Sequence, residues 1–229
     1  MRIGRVLRSR IGEAGSMLGV IYRLRFFRIL LVIDLTFIIL HIARSAAFYS
    51  ERPDIPISNS LFAIDVEGSF AEIYQHIKVA SVSLLTLWVF RRTAAPIYLA
   101  LSFLFAWVFI DDAFQLHEAF GASMTPMFFS SVGLAEAVFL SFICAVSVAI
   151  LHFTALNSEA HHLRRAAIFI VPLLVLAFFG GAVDLVHAAI GASFKGVNLV
   201  FTVIEDGGEL AAMSLACALA ITDPDHLDQ

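Results

Sequence analysis

Phe27–Phe48 reads FRILLVIDLTFIILHIARSAAF. At about 1.5 Å of rise per helical residue, a run of this length crosses a hydrocarbon core about 30 Å thick. Only Arg28, Asp34, His41 and Arg44 interrupt its apolar character. Five further apolar segments follow: Val79–Phe90, Pro96–Ala113, Met127–Leu151, Ala166–Ile190 and Leu199–Ile221. Val79–Phe90 is short, and must borrow residues from Ile73–Lys78 or cross a thinned bilayer. The reading is an all-α polytopic membrane bundle of six transmembrane helices.

Composition agrees. The 229 residues are 60% hydrophobic and 15% charged, with 22 Phe. Soluble domains average about 45–50% apolar and about 25% charged. These values exclude a cytosolic enzyme, a disulfide-rich secreted module and a nucleic-acid binder. Cys144 and Cys217 fall inside apolar segments, as reduced packing residues do.

Lys and Arg set the orientation. Arg2, Arg5, Arg8, Arg10, Arg23, Arg25 and Arg28, then Arg91–Arg92 and Arg164–Arg165, fall on one side of the predicted spans, eleven of the 15 basic residues. The other side receives Arg44, Arg52, Lys78 and Lys195. The positive-inside rule then places both termini in the cytoplasm. Residues 1–26, with Ile3, Val6, Leu7 and Ile11 at helical spacing among arginines, read as a basic amphipathic segment lying on anionic lipid. The alternative, a signal peptide cleaved near Ser45–Ala47, fits poorly with Asp34 and His41 inside the apolar run. Residues 27–222 form the membrane domain and 223–229 a short acidic tail.

Three odd-numbered spans share a pattern, [LV]-H-x-A-x-[GS]-A-[AS], at His41, His117 and His187. The last two copies are 70 residues apart, an offset that also pairs Glu136 with Asp206. Three repeated helical hairpins around a pseudo-threefold axis are the simplest reading, with a binding site where they meet. Chance recurrence of the small residues that let membrane helices pack is the alternative.

Ionisable residues inside spans are costly and point to function. Here His41, Asp111, Asp112, His117, Glu118, Glu136, Asp184, His187, Glu205, Asp206 and Glu209 all fall in the outer half, and Asp34 stands alone near mid-span. Asp184 and His187 share a helix face, as do Glu205 and Glu209. Asp111 and Glu118 lie two turns apart if their helix continues. Three imidazoles with carboxylates are ligands for a divalent metal, zinc rather than iron. On this reading His41, His117, His187, Asp112 and Asp184 form the metal set, and Glu118, Glu205 and Glu209 are the candidate general bases. A carboxylate-bridged di-iron site is less consistent, because only Asp184-x-x-His187 approaches its usual motif. Glu136 is a candidate salt-bridge partner for Arg44.

Asp111-Asp112-x4-His117-Glu118 and Glu205-Asp206-x2-Glu209 resemble the paired motifs of a group of uncharacterised bacterial multi-pass membrane proteins. The resemblance implies a bacterial inner-membrane protein and no particular activity. The alkaline ceramidase group of zinc hydrolases is also similar in kind, but its terminal His-x3-His is missing. Three functions follow as expectations. The first is a metal-dependent hydrolase of a lipid or lipid-linked substrate, opening to the periplasm. The others are an accessory subunit of a larger membrane complex and a proton- or cation-coupled transporter. Membrane lipids, a lipid or small-molecule substrate and partner subunits are the expected partners.

Overall fold

The computed structural model describes residues 2–50, 55–190 and 195–221, with side chains from residue 24 onward apart from Pro126, Ala188, Ala189 and Lys195. The side chains of the amphipathic N-terminal segment, the acidic tail and the end of the third repeat copy (Gly191–Ser193) lie outside the described residues. Helix α1 runs Arg2–Tyr49, α2 Phe70–Thr93, α3 Pro96–Phe114, α4 Leu116–Phe128 and α5 Val132–Leu156. Then come α6 Ala160–Ala166, α7 Ile170–Ala177, α8 Asp184–Ile190 and α9 Lys195–Ile221. No strand occurs among the described residues. Five segments are long and apolar enough to cross a membrane: Leu24–Tyr49, α2, α3, α5 and Ala160–His187. The 27-residue α9, interrupted by acids, packs against α1, α2 and α7.

The sequence explains the boundaries. Ser69 caps α2, its hydroxyl accepting the Glu72 N–H, so this helix begins well before Val79 and needs no thinned bilayer. Ala94, at φ 53°, ends α2 in the left-handed region, and Pro96 opens α3 where a missing N–H costs nothing. Gln115, at φ 51°, breaks the chain between α3 and α4. The expected continuous face from Asp111 to Glu118 is therefore broken, and Met127 and Phe128 belong to α4 rather than to the next span.

The fifth apolar segment is not a plain helix either. Pro172 cannot donate to the Ile168 carbonyl, and the chain there forms a 3-10 turn, Ala167–Phe169. Further on, Phe178–Val183 forms a π-helical turn containing Gly180 and Gly181.

The core joins α2, α3, α9 and Phe169 through Val82, Leu101, Phe105, Met213 and Ala216. Ser83 and Ser102 each donate a hydroxyl to the other's carbonyl at 2.9 Å, holding α2 against α3. The exposed side chains of α5 are largely apolar: Phe142, Val148 and Phe153 all face outward, as lipid contact requires. After two 3-10 turns, Pro56–Ser58 and Ser60–Phe62, the connection to α2 buries Ala63 and Ile64. Ile64 packs beside Leu210 and near Phe37 and Ile38, wedging the loop between α1 and α9.

Candidate functional site

Helix α9 carries the polar groups inward. Asp206, Leu210 and Ser214 recur every four residues and share one stripe, with Glu205 and Glu209 beside it. Packing lets the acids sit close to neighbouring backbone. A Cβ on Gly180 would collide with Glu209 Oε1, and one on Gly208 with the Phe179 ring. The paired glycines therefore differ: Gly180 leaves room for an acid, whereas Gly207 and Gly208 let an unbroken α9 approach Ile38 and Phe179.

A pocket with about 360 Å³ of empty space opens beside this stripe, lined by Glu72, Gln75, Asp112, Asp206, Glu209 and Leu210, among others. Among the described residues no Lys or Arg borders it. Gln75 donates to Glu209 at 3.3 Å. His76 Nε2 approaches Asp112 Oδ2 to 3.1 Å and Glu72 Oε1 to 3.8 Å. Asp206 has no hydrogen-bond or ion-pair partner among the described residues.

Directly beneath, Lys78 forms the most enclosed ion pair. Its Nζ lies 2.9 Å from Asp34 Oδ1, and both residues are only 2% exposed. The ammonium also donates to the Leu210 carbonyl at 2.8 Å and to Ser214 Oγ at 3.0 Å. Ser214 in turn donates to Asp34 Oδ2 at 2.6 Å, and the Tyr74 ring lies 4.4 Å from the ammonium. All three ammonium protons thus have acceptors, the arrangement a buried charge needs. The pair ties together α1, α2 and α9. Lys78 was expected at the outer surface. Instead α2 starts nine residues earlier than the apolar run, at Phe70 rather than Val79, and carries Lys78 into the bundle.

The three histidines do not share a neighbourhood of ligands. His41 Nδ1 accepts the Ile64 N–H at 3.2 Å and lies 3.5 Å from Asp65. His117 opens α4, where Asp111 grips it twice: Oδ1 accepts the backbone N–H at 3.1 Å, and Oδ2 lies 3.0 Å from Nδ1. This hydrogen bond, reinforced by the negative charges of Asp111 and Glu118, raises the His117 pKa above the ordinary imidazole value against the opposing effect of burial. His187 sits 2.6 Å from Glu205 and 3.0 Å from Asn198. Each of the three imidazoles therefore meets its own partners, on a different pair of elements. Among the described residues no group of three His, Cys, Asp or Glu side chains is placed to hold a metal ion. The local folds around the repeat copies also differ: the first lies within α1, the second starts α4 after a break, and the third begins in α8.

Of the expected site residues, the structure brings Asp112 and Glu209 to one pocket and His187 and Glu205 to one contact. Glu118 lies 4.0 Å from the His117 ring. Asp184 starts α8 after the π turn. No ion pair joins Glu136 to Arg44; Glu136 packs against Gly121 of α4, where a Cβ would meet its Cγ at 2.6 Å. Glu72, Gln75, His76 and Lys78 were not among the candidates. Recognising that α2 begins at the Ser69 cap puts Glu72, Gln75 and Lys78 at three-residue spacing, on one face toward α9.

Fold and site together define an all-helical membrane protein with an acidic pocket above a buried ion pair. The chain belongs to the family described as Domain of unknown function (DUF8692), whose model matches residues 26–222. No curated protein matches it, and no solved structure does.

Proposed function

We propose that this chain is a proton- or cation-coupled transporter. It crosses the bacterial inner membrane six times, with both termini in the cytoplasm and the acidic pocket open to the periplasm. The six-span topology adds α9 to the five apolar helices, and the orientation follows from the arginine asymmetry. One observation carries the functional reading: Leu210 lines the carboxylate pocket, and its carbonyl holds Lys78. The cation-attracting chamber is therefore coupled through one peptide unit to the Lys78–Asp34 pair.

The chemistry follows from charge. Glu72, Asp112, Asp206 and Glu209, around a space that no Lys or Arg borders among the described residues, attract a cation or protons, which relieve their mutual repulsion. Protonation of Asp34 removes the charge that holds Lys78 and leaves the ammonium on Leu210 and Ser214 alone. That change at the junction of α1, α2 and α9 is a means of coupling pocket occupancy to helix position. Below the pair, Val82, Leu101, Phe105 and Met213 form an apolar seal.

Among the described residues His41, His117 and His187 each meet different partners rather than one shared point, which favours transport over a tri-histidine hydrolase. The test is charge movement in proteoliposomes on a solid-supported membrane. Concentration jumps of sodium, potassium, magnesium, calcium, tetramethylammonium and guanidinium are compared for wild type, Glu209→Gln and Asp34→Asn. A pH-dependent current for one of these cations, lost in both folded variants, is expected. No current with any of them defeats the proposal. Stoichiometric zinc lost on His117→Ala/His187→Ala would restore the hydrolase.

A further inference from the structure

A second pocket, independent of the acidic chamber, lies between the end of α1 and the start of α9, with about 500 Å³ of empty space. Its wall includes His41, Arg44, Phe48, Asp65, Asn198 and Thr202. The Ile64–Asp65 stretch separates the two spaces: Ile64 lines the acidic pocket and Asp65 lines this one.

Two opposite charges face this space without meeting. The Arg44 Nε is buried and, among the described residues, has no hydrogen-bond partner. A guanidinium nitrogen withdrawn from water without an acceptor is costly, and an incoming anionic oxygen relieves that cost. Among the described residues Asp65 approaches only His41 Nδ1, at 3.5 Å. That nitrogen already accepts the Ile64 N–H. In neutral His41 it therefore has no proton to offer, and the approach is acceptor against acceptor. No ion pair joins Arg44 to Asp65 among the described residues. Of the other polar wall groups, Asn198 Oδ1 contacts His187 Nε2 at 3.0 Å, Thr202 is buried in α9, and Ser45 and Tyr49 are neutral hydroxyls.

A simple anion would be opposed by Asp65, and a simple cation by Arg44. From this geometry we infer that the pocket binds a small zwitterion. Its phosphate or carboxylate is held by the Arg44 fork and its amine by Asp65, with Phe48 along the apolar edge. A planar fork and a fixed carboxylate read such a molecule by the separation of its charges. The same chemistry belongs to a free amino-acid-like solute and to the headgroup of an aminophospholipid. Two arms of one experiment separate these sources.

In the first arm, the delipidated full chain in dodecyl maltoside is titrated calorimetrically with O-phosphoethanolamine and with L-alanine. Ethanolamine and inorganic phosphate serve as single-ended controls. Saturable binding of one zwitterion is expected, roughly tenfold tighter than either control. Arg44→Gln and Asp65→Asn should each weaken it by a similar factor, and Arg44→Lys, which keeps the charge without the fork, by less. In the second arm, native mass spectrometry of the chain from nanodiscs compares retention of phosphatidylethanolamine with phosphatidylglycerol. Preferential retention of phosphatidylethanolamine, lost in Arg44→Gln, assigns the pocket to the lipid headgroup; equal retention with binding in the first arm assigns it to a free solute. The inference is overturned if neither zwitterion binds wild type, if phosphate alone binds as well, or if correctly folded Arg44 and Asp65 variants bind like wild type.

Discussion

Replacing Lys78 by Met removes the ammonium that serves three acceptors at 2.8–3.0 Å: Asp34, Leu210 and Ser214. Among the described residues Asp34 then keeps only the Ser214 hydroxyl as a donor. Removing one member of a buried ion pair typically costs about 3–5 kcal/mol, because the other is left uncompensated. Asp34→Leu should cost a similar amount, since it leaves the ammonium with neutral acceptors only. The double replacement Lys78→Met/Asp34→Leu removes both charges and leaves a carbonyl and a hydroxyl short of one partner, about 1–2 kcal/mol. The singles would sum to about 6–10 kcal/mol if they acted independently, so the double variant should recover at least about 4 kcal/mol of that sum. Trp88 lies on α2 and Trp107 on α3, two helices that share the apolar core with α9. Their fluorescence during titration from dodecyl maltoside into SDS mixed micelles reports unfolding. A double variant as unstable as the sum of the singles would refute the claim that Lys78 and Asp34 stabilise each other.

Three further outcomes follow. The raised pKa of His117 means that its bond to Asp111 stabilises the α3–α4 junction fully below the unfolded imidazole pKa of about 6.5 and loses that contribution as pH rises through the folded value. Asp111→Asn should lower the NMR-titrated pKa of His117 and destabilise the chain by about 1–2 kcal/mol at acid pH, with the difference shrinking in alkali. Gly208→Ala should cost about 1–3 kcal/mol, because its methyl meets the Phe179 ring, whereas Gly181→Ala, which faces open space, should be near neutral; detergent melting curves distinguish them. Ala94→Gly should raise stability by about 0.5–1 kcal/mol, because Ala94 holds a φ of 53° that glycine adopts without strain.

The helical membrane class was legible because lipid imposes a length and an apolarity that few other folds share. Residues carrying the candidate site were legible by type and depth, but their pairing was not. Reading α2 from its apolar run, rather than from the Ser69 cap, left Lys78 and His76 outside the bundle and Asp34 without its partner. Asp111 and Glu118 seemed to share a face only because nothing in the composition marks Gln115 as left-handed. The histidines, alike in their sequence pattern, meet unlike surroundings: one a loop N–H, one an acid across a break, one an acid on α9. A repeat in sequence thus did not specify a shared ligand shell, since the elements between the copies differ in length and in where they break.

The π turn at Phe178–Val183 has a consequence for numbering along the helix. Such a turn accommodates one residue more than α-helical winding, and each residue advances a helix by about 100°. Deleting a single residue there would let 170–190 wind as ordinary helix while the segments on either side keep their facing, because the turn has already absorbed the extra residue. His187 would still face Glu205. A deletion just beyond, between Asp184 and His187, falls in regular helix and would swing everything after it by about 100°, turning His187 away from Glu205 with every side chain of the site still present. Relatives one residue shorter within the π turn should therefore keep this use of the histidine, and relatives one residue shorter after it should not.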